Sequence, residues 1–82
     1  MYTLSGRINE VPFSEETTNI NKTLLSLKPD FIHCDTYITL SSGEGVDKTV
    51  TERKLNLTES KRIFLNEDVR AVFIQNLVME YN

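Results

Sequence analysis

The feature that most restricts this chain is the alternation between Phe31 and Leu40. Ile32, Cys34, Thr36, Ile38 and Leu40 fall on one side of an extended backbone, and Phe31, His33, Asp35, Tyr37 and Thr39 on the other. A period of two marks a strand with one buried face. Ser41 to Val46, carrying Gly43 and Gly45, follows as a hairpin loop, and Thr49 to Leu57, rich in Thr and Val, reads as the returning strand. In that strand Glu52, Lys54 and Asn56 would face water, while Thr51, Arg53, Leu55 and Leu57 would face the other way. Arg53 interrupts the apolar side, which suits a strand at the edge of a sheet.

The flanking segments supply a further strand and the helices. Tyr2, Leu4, Gly6 and Ile8 alternate with Thr3, Ser5, Arg7 and Asn9, a second period-two pattern, which Pro12 is expected to end. Ser14 followed by Glu15 and Glu16 reads as a helix start, because a hydroxyl can cap orphan N–H groups and carboxylates complement the positive end of a helix dipole. A short helix near residues 15–27 follows, although its threonines and asparagines are poor helix formers and keep an extended alternative open. Thr58-Glu59 is a second cap-like start, and the spacing predicts helix from there to the C-terminus, with an interruption at Asn66-Glu67-Asp68. Val69, Phe73, Leu77 and Tyr81 recur at i+4, whereas the β-branched Val72, Ile74 and Val78 leave a buried C-terminal strand as the alternative. The expected fold class is α+β: a small single domain, residues 1–82, with an antiparallel sheet of about three strands, including the hairpin at 31–57, packed by a C-terminal helix and the shorter helix.

At 82 residues a second independent core is not expected, and the thin stability margin of so short a chain makes a partner or a second copy relevant. The longest uninterrupted apolar run is Ala71 to Ile74, far short of the roughly 20 residues of a membrane span. Met1 to Phe13 lacks the basic and apolar regions of a secretion signal, and a single cysteine, Cys34, cannot form an internal disulfide. A cytoplasmic location is therefore expected, and the sequons at Asn21 and Asn56 are chance matches. Ala71 is the only alanine among many Asn, Thr, Ile and Leu residues, as an AT-rich coding sequence of a low-GC bacterium or a phage would give.

Known chemistries can be tested against these residues one at a time. His33, Cys34 and Asp35 are adjacent potential ligands, but on a strand Cys34 points away from the other two, and one His and one Cys cannot assemble a usual zinc set. The same geometry would deny Cys34 a base. Ser42 to Thr49 ends in Lys-Thr like a phosphate loop, yet Asp47 rather than glycine precedes Lys48 and a strand rather than a helix follows. No carboxylate pair has a spacing that demands acid–base work. No catalytic residue, metal site or cofactor is therefore expected.

The net charge is −3, and it is unevenly spread. Met1 to Asp47 holds 7 acids and 3 bases, whereas Lys48 to Asn82 holds 5 acids and 6 bases. Arg53, Lys54, Lys61, Arg62 and Arg70 could form a modest basic patch for nucleic acid, with Phe31 and Tyr37 available for stacking, although acids interleave with the bases. The reading favoured by the sequence is a small non-enzymatic protein-interaction module, a regulator, inhibitor or assembly factor that docks another protein or its own copy, as in a homodimer, and does not engage a membrane. Its expected contact residues are Val72, Phe73, Leu77 and Tyr81, because large apolar and aromatic groups dominate binding energy. Nucleic-acid binding through the basic residues is the alternative, and an enzyme ranks third.

Overall fold

The computed structural model describes residues 1–42 and 49–81. Its elements run β1 (Tyr2–Ile8), β2 (Val11–Thr17), α1 (Ile20–Leu27), β3 (Thr36–Ser42), β4 (Thr49–Leu55), α2 (Leu57–Leu65) and α3 (Glu67–Tyr81). The strands form one antiparallel four-stranded sheet in the order β2-β1-β3-β4. The α+β class and the antiparallel sheet are as expected, with one strand more than the sequence indicated.

That extra strand is β2, and it corrects the helix expected at 15–27. β1 does not end at Pro12. It ends at a two-residue turn, Asn9-Glu10, in which both residues have positive φ (52° and 68°), as a tight hairpin that follows the sheet's twist requires. Ser14, Glu15 and Glu16 then pair with Ser5, Leu4 and Thr3, so their capping chemistry goes unused. The helix starts at Ile20, where the Asn19 side chain accepts a hydrogen bond from the Lys22 amide (3.1 Å). Pro12 is tolerated because β2 lies at the sheet edge.

The strand expected from Phe31 onward begins only at Thr36. The Asn9 side chain takes over the preceding segment: its amide donates to the Phe31 carbonyl, and its Oδ1 accepts from the His33 amide at 2.9 Å. Strand β4 pairs with β3 as expected and is an outer strand. The loop expected at Ser41 to Val46 lies outside the described residues from Gly43 onward.

At the C-terminus the helical reading holds and the buried-strand alternative does not. Helix α2 is capped by Asn56, two residues before the expected cap Thr58, in a reciprocal capping box: Asn56 Oδ1 accepts from the Glu59 amide (2.9 Å) while the Glu59 carboxylate accepts from the Asn56 amide (3.1 Å). Asn66 marks the expected interruption. Its N–H donates to the Arg62 carbonyl that ends α2, and its side chain caps the Val69 amide of α3 at 3.1 Å. No helix among the described residues is long and apolar enough to cross a membrane.

The core lies between the helices and one face of the sheet. Leu4, Ile8, Ile38, Leu40 and Leu55 from the strands meet Ile20, Leu24, Ile63, Phe64 and Leu77 from the helices. Burial of this kind stabilises by about 25 cal/mol per Å² of apolar surface removed from water. Gly6 permits a close approach within the sheet. It has φ 143°, and a Cβ at its position would lie 1.7 Å from the Tyr37 carbonyl oxygen of the neighbouring strand.

Candidate functional site

Two clefts open on either side of the Asn9-Glu10 turn. The first is small, about 190 Å³, and polar, lined by Arg7, Glu10, Cys34, Asp35 and Tyr37. Arg7 and Tyr37 are register partners on β1 and β3, and Lys54 of β4 is the next partner in the same row. The Arg7 guanidinium lies 4.7 Å from the Tyr37 ring centre and the Lys54 ammonium 5.7 Å, so one ring is flanked by two cations. Lys54 also reaches Asp35 at 3.7 Å.

Here the structure overturns a geometric expectation. Because Phe31 to Asp35 is not a strand, His33 and Cys34 do not point apart, and His33 Nδ1 lies 3.1 Å from Cys34 Sγ. An imidazole in contact with a thiol can act as its base. The surroundings oppose this: desolvation, and then the charges of Glu10 and Asp35, raise the Cys34 thiol above its ordinary value, whereas reactive cysteines are held low by positive neighbours. Among the described residues, no three His, Cys, Asp or Glu side chains gather as a metal-ligand set.

The second cleft is larger and apolar. A groove of about 580 Å³ runs beside β2, lined by Ile8, Val11, Pro12, Phe13, Leu27 and Pro29, with Asn9, Ser14 and Glu15 at its margin. Pro29 also belongs to an adjoining cleft of about 300 Å³, where Phe31, Ile32, Phe64 and Leu65 meet Lys28, Asp30 and Lys61. Three of these apolar side chains are open to solvent: Phe31 is 81% exposed, Leu65 70% and Val11 65%. The backbone that carries Phe31 is held just after the ring's attachment point, where Asn9 bonds the Phe31 carbonyl and the His33 amide.

The four contact residues expected on the C-terminal helix are not brought together on a surface. Leu77 is in the core, Phe73 and Tyr81 pack against it, and Val72 alone is exposed. Tyr81 also makes an edge-on contact with Tyr2, ring centres 5.4 Å apart. The basic residues are likewise dispersed. Arg70 is buried, donating to Asn21 Oδ1 (2.6 Å) and to the carbonyls of Ile63 (3.1 Å) and Phe64 (3.3 Å), which closes the end of α2. Arg53 pairs with Glu80 of α3 and Lys54 with Asp35. Lys61 and Arg62 remain exposed on α2.

What the sequence reading missed is the surface around Phe31. The available signal is Lys28-Pro29-Asp30, a helix-stopping tripeptide directly before the aromatic residue. Comparison of the chain with known protein families, curated proteins and solved structures finds no match.

Proposed function

We propose that the protein is a non-enzymatic interaction module that docks another protein through the apolar surface around Pro29, with Phe31 and Leu65 as its anchors. The observation that carries this reading is a phenylalanine 81% exposed on a backbone that Asn9 holds by two hydrogen bonds. A solitary exposed leucine needs no explanation, but an exposed phenylalanine beside an exposed leucine in an apolar cleft is a contiguous apolar patch of the kind that marks interaction sites. A backbone held in place before binding also spares part of the entropy of ordering the loop that presents the anchor. A regulator, inhibitor or assembly factor would act through such a surface without chemistry of its own.

The test is a photo-crosslinking amino acid placed at position 31, compared with the same group at the exposed Asp68. The expected result is a discrete, saturable adduct at position 31 only, lost in Leu65→Ser, with mass spectrometry identifying the adduct. Equal, diffuse labelling at both positions would overturn the reading.

Nucleic-acid binding is a second reading, favoured by the row Arg7, Tyr37, Lys54, in which Arg7 joins two of the residues expected from the sequence. Two cations flanking a ring on a strand face suit a stacked base and its phosphates. Glu52, beside Lys54, and the overall charge of −3 count against it. Steep weakening of binding by salt would distinguish it from docking on apolar surface.

A further inference from the structure

We infer that the outer edge of β2 receives an extended segment of another protein, apolar at alternate residues and carrying lysine or arginine between them. This rests on the interaction reading above and adds the chemistry of the partner. In a two-residue hairpin the residues flanking the loop, Ile8 and Val11, form a hydrogen-bonded pair, and antiparallel pairing alternates. Arg7 and Pro12 therefore form a non-hydrogen-bonded pair, which turns the main-chain groups of Pro12, Ser14 and Glu16 away from β1. Pro12 offers only a carbonyl there. Ser14 and Glu16 offer a donor and an acceptor each, and among the described residues no strand pairs with them.

The side chains specify what would fit. On one face of β2 lie Val11 and Phe13, beside the apolar groove that Leu27 and Pro29 complete. Alternate residues of an added strand would enter that groove, as strand addition at a sheet edge requires. The charges on β2 itself are of one sign: Glu15 is the charged residue in the groove lining, Glu16 lies on the other face, and β2 carries no base, while Arg7, opposite Pro12 on β1, lies over the Tyr37 ring of β3 on the side away from β2. A basic segment would be attracted to this edge and an acidic one repelled. A second copy pairing β2 with β2 would set Glu15 and Glu16 against their own counterparts.

Two labelled synthetic octapeptides test this, one alternating valine with lysine and one alternating valine with glutamate, titrated into the full chain while amide signals are followed by NMR. The lysine peptide should bind at least about tenfold more tightly than the glutamate peptide, as like charges across an interface are costly. It should also protect the Ser14 and Glu16 amides from exchange. Replacing both acids, Glu15→Gln with Glu16→Gln, should remove most of that preference, and methylating the lysine peptide's amide nitrogens should abolish binding. Equal affinity for the two peptides, or no binding by either, would overturn the inference. So would a β2–β2 dimer detected by light scattering and dispersed by Val11→Asp. Shifts confined to Phe31 and Leu65 would overturn the edge inference while leaving the docking surface standing. A lost position-31 adduct with β2 binding intact would do the reverse.

Discussion

The polar cleft and the apolar groove share one turn and differ in nearly everything else. Glu10 lines the first and Asn9 the second, so adjacent residues of a two-residue hairpin loop serve opposite surfaces. The polar cleft gathers the groups that attract attention in a sequence: a thiol touching an imidazole, a tyrosine between two cations, two carboxylates. Yet its groups work against one another, since desolvation and then the acids beside Cys34 favour the proton on sulfur, and Asp35 is already engaged by Lys54. The groove and the cleft adjoining it hold few reactive groups but keep Val11, Phe31 and Leu65 in contact with water. Chemical variety marks the first region and desolvation energy the second, and for docking the second counts.

The largest effect expected is on the frame that holds both regions. Gly6 lies between Phe13, which lines the groove, and Ile38, next to Tyr37 of the polar cleft. In Gly6→Ala the new methyl would overlap the Tyr37 carbonyl and force a side chain onto a backbone with φ 143°. A loss of more than about 4 kcal/mol is expected, among the largest single-residue effects and comparable to the whole stability of a small domain. Circular dichroism and urea titration would report it as an unfolded or molten chain. A variant with native stability would mean that β1 and β3 do not approach this closely.

Much of this frame was legible in the sequence, and the illegible parts have identifiable causes. Period-two patterns in β1 and β3 survive because one face of each strand is buried, so register and hydrophobicity agree. Strand β2 was hidden because an outer strand buries little: Ser14, Glu15 and Glu16 are all exposed, and polar residues in series look like a helix start. The turn before it was missed because Asn-Glu lacks the glycine that usually marks such a loop. The C-terminal helix was legible in type but not in use. Leu77, the third of the four residues in its i+4 series, is consumed by the core, and the same spacing would have described a core or a binding face. The exposed anchor Phe31 depends on Asn9, 22 residues away, a contact that no local pattern encodes.

Asn9 allows the two surfaces to be separated experimentally. Its backbone needs positive φ and its side chain clasps the Phe31 segment, so two substitutions divide the roles. Asn9→Ala loses both, at about 1–2 kcal/mol for the left-handed backbone and about 0.5–1.5 kcal/mol for each hydrogen bond. Asn9→Gly keeps the turn and loses only the clasp, so its loss in urea unfolding should be smaller. Both should lower crosslinking at position 31 and leave the β1–β2 pairing intact in NMR spectra. If Asn9→Gly crosslinks like the native chain, the ring is presented by the loop's own conformation and the groove is less ordered than the contrast requires.

The smallest effect expected is also the one that could reverse the ranking of the two regions. Because desolvation and the charges of Glu10 and Asp35 raise the Cys34 thiol, alkylation by iodoacetamide should be slow at neutral pH and rise with a midpoint above that of a free thiol, since the thiolate is the nucleophile. Removing a negative charge favours ionisation, so Glu10→Gln should move the midpoint down. Asp35→Asn should move it down less, because the Lys54 ammonium at 3.7 Å already offsets that carboxylate. A native midpoint below the free-thiol value would mean that the imidazole 3.1 Å from the sulfur outweighs both acids. The polar cleft would then hold an activated nucleophile and its base, flanked by Arg7, and the case for a purely docking protein would give way to one for catalysis.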